Sequence, residues 1–121
     1  MNKVLVLIPA YRPDEKLIHL VRQLALIGMS DIVIVIDGLD GRTSSVVERL
    51  REMVECHLVF HVINLGKGCV LKTGINYCLH SFKDAIGIVT ADADGQHLPE
   101  DIKNIAETLI DNPTKLILGV R

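Results

Sequence analysis

Short runs of apolar residues alternate along the chain with segments in which apolar residues recur every three or four positions. The runs at residues 4–8, 32–36, 58–63, 85–90 and 116–118 are rich in Val, Ile and Leu. Runs of this length predict β-strands, and the spacing of three or four residues predicts amphipathic helices between them. The pattern therefore predicts the order βαβαβαβαβ.

Helix-start and helix-stop residues bound the predicted helices. The four helices are expected near residues 13–28, 45–55, 66–80 and 99–112. Ser45 and Glu48 have capping-box spacing at the start of the second helix. Pro9 is expected to end the first strand, because proline has no backbone N–H to give to the sheet.

Strands that alternate with helices at these lengths predict an α/β fold, with a parallel sheet between two helix layers. We expect a Rossmann-like sheet with strand order 3-2-1-4 and the fifth strand beyond. Ligands of such sheets bind at the carboxyl ends of the strands, where the strand order reverses. The polar and glycine-rich segments fall at these ends, at residues 9–12, 37–40, 64–68 and 92–97.

Composition narrows the classes of function. The 121 residues are 49% hydrophobic and carry a formal net charge of −2, which is typical of one globular domain over residues 1–121. With 3% aromatic residues and no cluster of Lys and Arg, we expect no nucleic-acid binding. The apolar runs are too short to span a membrane. Cys56, Cys69 and Cys78 form no C-x-x-C pair; we interpret them as packing thiols and expect a cytoplasmic location.

Asp92 and Asp94 carry the strongest chemical signal. Two carboxylates two residues apart on an extended chain point to the same side, so both can bind one Mg²⁺ or Mn²⁺ ion. A metal held in this way would bind a diphosphate. The alternative is a solvated turn, because Asp and Gly are common turn residues.

Two other segments at the strand ends are candidates for binding part of a nucleotide. Lys67, flanked by two glycines at a helix start, could offer its ammonium and nearby backbone N–H groups to an anion, although the P-loop spacing is absent. A tight turn that needs glycine explains the same residues. Asp37 could bind a ribose or base, or it could simply start a turn. His57 and His61 are predicted to be surface residues, since on a strand they stand about 13 Å apart, too far for one ion.

Five segments occur in a fixed order along the chain. They are VLVLIPAY at 4–11, IVIDG at 34–38, NLGKG at 64–68, TADADGQH at 90–97 and GVR at 119–121. Together they resemble the donor-binding half of the family 2 glycosyltransferases, over the whole chain and nearest to the dolichyl-phosphate mannosyltransferase-like branch. The resemblance implies a fold of the nucleotide-diphospho-sugar transferase type and a UDP- or GDP-sugar donor. It also implies a divalent metal, Mg²⁺ or Mn²⁺, and an inverting displacement at the anomeric carbon.

The resemblance also implies roles for the matching residues. Those at the nucleoside would be Pro9, Tyr11 and Asp37. Those that hold the metal would be Asp92, Asp94 and Gln96. Those that approach the diphosphate would be Arg121 and, as a weaker candidate, Lys67. A cation here offsets the charge that develops on the nucleoside diphosphate as it leaves.

The chain departs from the family pattern beside the base pocket. Arg12 stands where the family usually has Asn, and Pro13 where an acid is common. Ile36 replaces the first of two Asp residues, and Leu39 replaces a frequent Ser. These departures concern recognition of the base and leave the metal ligands in place.

Family members continue beyond the GVR segment into an acceptor-binding half that carries the catalytic base. No residue here matches that base, so none is assigned as catalytic, and we expect a donor-binding half that serves a polyprenyl-phosphate or glycan acceptor. An open edge at the last strand predicts self-association. Two alternatives stay open: a nucleotide-sugar-binding or interaction module without turnover, and a nucleotidyltransferase, for which the basic glycine-rich loop after the first strand is missing.

Overall fold

Four strands and four helices alternate along residues 3–38, 44–93 and 99–111, the part of the chain that the computed structural model describes. The strands are β1 (Lys3–Ala10), β2 (Ile32–Asp37), β3 (Cys56–His61) and β4 (Ala85–Thr90). The helices are α1 (Glu15–Leu26), α2 (Ser44–Arg51), α3 (Lys67–Ser81) and α4 (Pro99–Asp111). None of these four helices has the length and hydrophobicity of a membrane span. The predicted fifth strand lies outside the described residues.

The four strands form one parallel sheet in the order β3-β2-β1-β4. The predicted α/β, Rossmann-like fold and its strand order are confirmed. From β1 the chain moves outward through β2 to β3 and then returns across the sheet to β4. Because right-handed crossovers in opposite directions place their helices on opposite faces, α3 packs on one face and α1 and α2 pack on the other.

Each face of the sheet has its own core, because successive side chains of a strand point to opposite faces. Even-numbered residues of β1 and β2, such as Ile8 and Ile34, pack beneath α1, α2 and α4. Odd-numbered residues, such as Leu7 and Val35, pack beneath α3. Every residue of β2 is buried, as its unbroken apolar run predicts for a strand covered on both faces.

β1 continues through Pro9, two residues further than predicted. The N–H of Val6 donates to Asp31 O beside β2, whereas Leu7 O accepts from the N–H of Ala91 beside β4. The odd-numbered residues of β1 therefore direct their backbone groups toward β4. Pro9 lacks its N–H on that side, beyond the last residue of β4, so the proline interrupts no hydrogen bond to β2.

β3 begins and ends two residues earlier than predicted. Its six residues pair in register with the six of β2, from Cys56 opposite Ile32 to His61 opposite Asp37. Within the described residues β2 ends at Asp37, so the pairing of β3 with it stops at His61. Val62 and Ile63, which the prediction placed in the strand, are exposed.

α2 is shorter than predicted. It begins at Ser44, so Ser45 lies inside the helix and the predicted capping box is wrong. It ends at Arg51, and turns closed by the N–H groups of Met53 and Cys56 lead into β3. Val54, which the prediction placed on the apolar face, is exposed.

The cysteines divide by burial. Cys78 lies on α3 and is buried in the core between this helix and the sheet, and burial raises its pKa to about 11. Cys56 is half-buried, and burial together with the charge of Glu55 raises its pKa to about 12. Cys69 is exposed, so its interpretation as a packing thiol is wrong.

Candidate functional site

A cleft of about 150 Å³ opens at the carboxyl edge of the sheet. Its lining residues are Pro9, Ala10, Tyr11, Asp37, Lys67, Val70 and Asp92. They come from the end of β1, the end of β2, the first turn of α3 and the residues that follow β4. β1 and β4 are neighbours where the strand order reverses, which is the position where open α/β sheets bind their ligands.

The cleft brings together five of the eight site residues predicted from the sequence. These are Pro9, Tyr11, Asp37, Lys67 and Asp92. The other three, Asp94, Gln96 and Arg121, lie outside the described residues. The five meet because parallel strands end at one edge of the sheet, so segments far apart in sequence become neighbours there.

The end of β1 places an exposed aromatic ring at the cleft. The Tyr11 side chain is 55% exposed, and the guanidinium of Arg12 lies 5.2 Å from the centre of its ring. Arg12 has a φ of 50°, in the left-handed region that a residue with a Cβ rarely occupies outside special sites. Asn, which the resemblance described above leads one to expect at this position, adopts this region more readily. This strained turn presents Tyr11 at the cleft.

Asp37 is the buried charged side chain of the described core. Its Oδ1 accepts the N–H of Leu65 at 2.8 Å, and its Oδ2 accepts the N–H of Gly66 at 2.9 Å. His61 Nδ1 lies 3.1 Å from Oδ1. Burial raises the pKa of this carboxyl, but the hydrogen bonds from Leu65, His61 and Gly66 outweigh burial and hold the pKa below its ordinary value. Asp37 is therefore a carboxylate at neutral pH.

His61 is not a surface residue, and that prediction is wrong. Its side chain is only 10% exposed, and its two ring nitrogens contact Asp37 and Thr73 Oγ1, the latter at 2.8 Å. His57 is also partnered, with Nε2 2.8 Å from Asp31 Oδ1. The sequence reasoning missed Thr73 altogether. The position of each residue in its element was the signal that could have found them. His61 ends β3 opposite Asp37. Thr73 lies one helical turn after Val70, whose side chain is buried against the sheet, so both are on the same face of α3.

Lys67 and Asp92 form an ion pair within the cleft. Lys67 Nζ lies 3.2 Å from Asp92 Oδ1, and the two side chains are 54% and 33% exposed. A pair with this exposure contributes little to stability. It joins the start of α3 to the segment after β4. Gly66, which precedes Lys67, has a φ of 90°, a conformation that requires glycine.

Asp92 is the described member of the predicted metal-binding trio. Within the described residues, no group of three or more His, Cys, Asp or Glu is arranged to hold a metal ion, and Asp94 and Gln96 fall outside them. The Asp92 carboxylate lines the cleft and already faces a cation, the ammonium of Lys67. A carboxylate oxygen is the kind of ligand that a hard divalent cation such as Mg²⁺ or Mn²⁺ takes.

The amino-acid sequence of the chain matches a known protein family and several individual proteins. The model of the family described as "Glycosyl transferase family 2" matches residues 5–121. An uncharacterized protein of Methanocaldococcus jannaschii is 30% identical over 120 residues. The UDP-N-acetylglucosamine–dolichyl-phosphate N-acetylglucosaminyltransferase of Methanococcus voltae is 27% identical over 131 residues. The undecaprenyl-phosphate 4-deoxy-4-formamido-L-arabinose transferase of Proteus mirabilis is 26% identical over 115 residues.

These matches cover nearly all of this chain but only part of each relative. They cover 99%, 98% and 89% of this chain but 47%, 51% and 34% of the respective relatives. The chain thus spans between about a third and a half of the length of these relatives. No solved structure gives a significant match.

Proposed function

Because the chain belongs to glycosyl transferase family 2, we propose that its cleft binds a nucleotide-diphosphate sugar as the donor for glycosyl transfer. One observation carries the proposal: residues of four separate segments, each predicted from sequence to bind such a donor or its metal ion, line a single cleft at the carboxyl edge of the sheet. A solvated turn after β4 would explain Asp92 alone, but it would not explain why Tyr11, Asp37 and Lys67 line the same cleft.

The proposed arrangement divides the cleft between the nucleoside and the diphosphate. Pro9, Tyr11 and Asp37 would contact the nucleoside, with the exposed Tyr11 ring as a surface for the base. Lys67, together with Arg121, would approach the diphosphate. Asp92, with Asp94 and Gln96, would hold Mg²⁺ or Mn²⁺. When bound, the metal would offset the negative charge that develops on the leaving diphosphate.

We further propose a polyprenyl phosphate as the acceptor, with a glycan as the alternative. The support comes from two relatives whose names include dolichyl phosphate and undecaprenyl phosphate. No residue of this chain is assigned to deprotonate the acceptor. A nucleotide-sugar-binding module without turnover would use the same cleft. An assay for transfer of sugar to a polyprenyl phosphate distinguishes the two functions, because only the enzyme carries out the transfer. A cytoplasmic location stays a prediction.

Calorimetry tests donor binding directly. We expect the 121-residue chain to bind either UDP-N-acetylglucosamine or a GDP-sugar in the presence of Mn²⁺, and EDTA to weaken that binding. Asp92→Asn should weaken it at least about ten-fold, as expected for loss of a metal ligand. Lys67→Ala should weaken it about ten-fold, by loss of a charge-assisted contact to phosphate.

Two variants on exposed helix positions serve as matched controls. Glu107→Gln on α4 and Lys72→Ala on α3 remove the same kinds of charge outside the cleft lining, and both should bind the donor as the wild type does. The proposal fails if the wild type binds neither class of donor, or if Asp92→Asn binds as tightly as the wild type.

A further inference from the structure

A hydrogen-bonded network lies behind the cleft and is not explained by donor binding itself. It joins Thr73 Oγ1 to His61 Nε2 at 2.8 Å, and His61 Nδ1 to Asp37 Oδ1 at 3.1 Å. The side chains of His61 and Asp37 are 10% and 5% exposed, and Thr73 on α3 is half-buried. This Thr73–His61–Asp37 network links the end of β2, the end of β3 and the middle of α3.

The direction of the hydrogen bonds follows from the chemistry of the groups. An ionised carboxylate only accepts hydrogen bonds, so His61 Nδ1 carries the hydrogen and donates to Asp37. In the neutral imidazole, Nε2 then accepts the hydroxyl hydrogen of Thr73. In the protonated imidazole, Nε2 donates to the same hydroxyl oxygen. Thr73 therefore satisfies His61 in either state and fixes the orientation of the ring.

Asp37, oriented in this way, holds the turn that precedes α3. Its two oxygens accept the N–H groups of Leu65 and Gly66, and Asn64 Oδ1 also accepts the N–H of Gly66, at 3.1 Å. The turn after β2 lies close to the same segment: a Cβ on Gly38 would stand 3.3 Å from Asn64 N. The turn at residues 64–66 is thus held to the end of β2 through a single carboxylate.

The position of Lys67 depends on this turn. Lys67 is the first residue of α3 and follows Gly66 directly, and its ammonium reaches Asp92 across the cleft. If Asp37 no longer accepted these hydrogen bonds, the N–H of Leu65 would lose this acceptor and the N–H of Gly66 would keep only Asn64 Oδ1. The start of the helix, and Lys67 with it, would then move more freely.

The order hydroxyl, imidazole and carboxylate also activates nucleophiles in hydrolases, but the geometry here does not support that role. Neither Thr73 nor His61 is among the residues that line the cleft. A reacting atom has to reach the hydroxyl of a nucleophile, whereas the Thr73 hydroxyl lies against His61 Nε2 and outside the cleft lining. The network therefore acts on the protein itself.

We propose that His61, oriented by Thr73, is a positioning residue that aligns the Asp37 carboxylate to hold the turn at residues 64–66 and thereby places Lys67 in the cleft. Holding the turn is a property of the ligand-free protein. The consequence for the diphosphate rests on the proposed function.

Amide hydrogen exchange of the ligand-free 121-residue chain, read by two-dimensional NMR, tests the first part. His61→Phe keeps a planar ring but no hydrogen-bonding atoms, and we expect exchange at Leu65 and Gly66 to become at least about ten-fold faster, as expected for loss of bonds to a buried charge. Exchange at Ile34 in the core should not change. His61→Asn, which can still present a donor near the position of Nδ1, should retain part of the protection.

Thr73 supplies a matched pair that does not remove the imidazole. Thr73→Val replaces the hydroxyl with a methyl group of the same shape and should speed exchange at Leu65 and Gly66, whereas Thr73→Ser should behave as the wild type. If His61→Phe does not fold, this pair decides the question alone. Equal protection of the two amides in Thr73→Val and Thr73→Ser, or loss of protection at Ile34 together with the turn, overturns the proposal.

Affinity for UDP or GDP with Mn²⁺, whichever the wild type binds, tests the second part. We expect Thr73→Val and His61→Phe to bind the diphosphate several-fold to about ten-fold more weakly, and Thr73→Ser to bind normally. A wild type that binds neither nucleotide contradicts the proposed function, while the exchange data still decide whether the network holds the turn. Faster exchange at the turn with unchanged diphosphate affinity overturns the placement of Lys67.

Discussion

At the scale of single residues, Asp37 shows how a buried charge is retained in this fold. Taking a carboxylate out of water is costly unless hydrogen bonds replace the lost solvation. Here two backbone N–H groups and an imidazole N–H supply them. The same bonds favour the charged form, which is why the pKa of Asp37 lies below its ordinary value of 3.8 despite burial.

The depressed pKa of Asp37 predicts a pH dependence of stability. A group whose pKa is lower in the folded state contributes stability that is fully present above the unfolded pKa and is lost as the pH falls through the folded pKa. At pH 7 we expect Asp37→Asn to lower the free energy of unfolding by about 1–3 kcal/mol. This difference from the wild type should persist down to about pH 5 and shrink below the ordinary value of 3.8.

Urea denaturation of both proteins between pH 7 and pH 3 measures this difference, with Glu107→Gln, an exposed carboxylate on α4, as the control that should change little. A gap between Asp37→Asn and the wild type that stays constant down to pH 3 would contradict the assignment of a charged, hydrogen-bonded Asp37.

Residue identity alone predicted some of the site and not the rest. Tyr11, Lys67 and Asp92 could be selected because they stand where strands end and polar segments begin, and they do line the cleft. His61 could not be selected, because a histidine in a strand is equally compatible with solvent and with a buried partner. What buries His61 is the pairing of β3 with β2, which no property of the residue itself indicates.

At the scale of elements, α3 is the helix that covers one face of the sheet by itself among the described residues. It approaches the sheet closely at Gly74, where an added Cβ would overlap the side chain of Leu7 on β1. Leu7 is fully buried, so it has no free space into which to move. Glycine at this position therefore allows α3 to pack against β1.

Two glycines of α3 give opposite predictions for the same substitution. Gly74→Ala should destabilise the protein by about 1–3 kcal/mol, because overpacking exceeds the gain in helix propensity. Gly68→Ala, where a Cβ would meet nothing within 4 Å, should be neutral or stabilising by up to about 1 kcal/mol. Thermal and urea denaturation of the two variants compare them directly. Equal effects of the two substitutions would show that close approach of α3 to β1 is not the cause.

The existence of each described element followed from hydrophobic period, but the ends of β1, β3 and α2 did not. β3 stops at His61 because β2 stops opposite it. β1 continues through Pro9 because an N–H at this position would point toward the β4 side, past the last residue of β4, where the described sheet has no strand to bond. α1 also differs from its predicted range of 13–28 by two residues at each end: Asp14 caps it by accepting the N–H of Lys16, and the helix runs from Glu15 to Leu26. Hydrophobic period therefore locates an element, whereas its ends depend on caps and on neighbouring strands.

At the scale of the whole molecule, β3 is the outer strand of the described sheet on one side. Val62 and Ile63 follow it and are 75% and 65% exposed. An open strand edge with exposed apolar residues beside it favours contact with other chains. Self-association of the 121-residue chain is predicted from an open edge at the last strand, and it stays a prediction. The β3 edge is a second place at which two chains could meet, and it can be tested by mutation.

Sedimentation velocity over a range of concentrations measures such association. If association uses the β3 side, the double variant Val62→Lys with Ile63→Lys should weaken it at least about ten-fold, by removing two apolar side chains from the contact. Leu79→Lys, which removes an exposed apolar side chain on α3, is the matched control and should have little effect. A chain that stays monomeric at all concentrations would contradict the prediction itself.

The sequence by itself determined the alternation of strands and helices, the α/β class and the polar segments that meet at the carboxyl edge of the sheet. These depend on hydrophobic period and on the right-handed crossover, which act over short stretches or apply to all such chains. Only the tertiary structure decided that Asp37 holds the turn before α3, that His61 is buried behind it, and that Gly74 lies against Leu7. These contacts join residues from different elements, and their geometry is set by strand register and packing, which the local sequence does not contain.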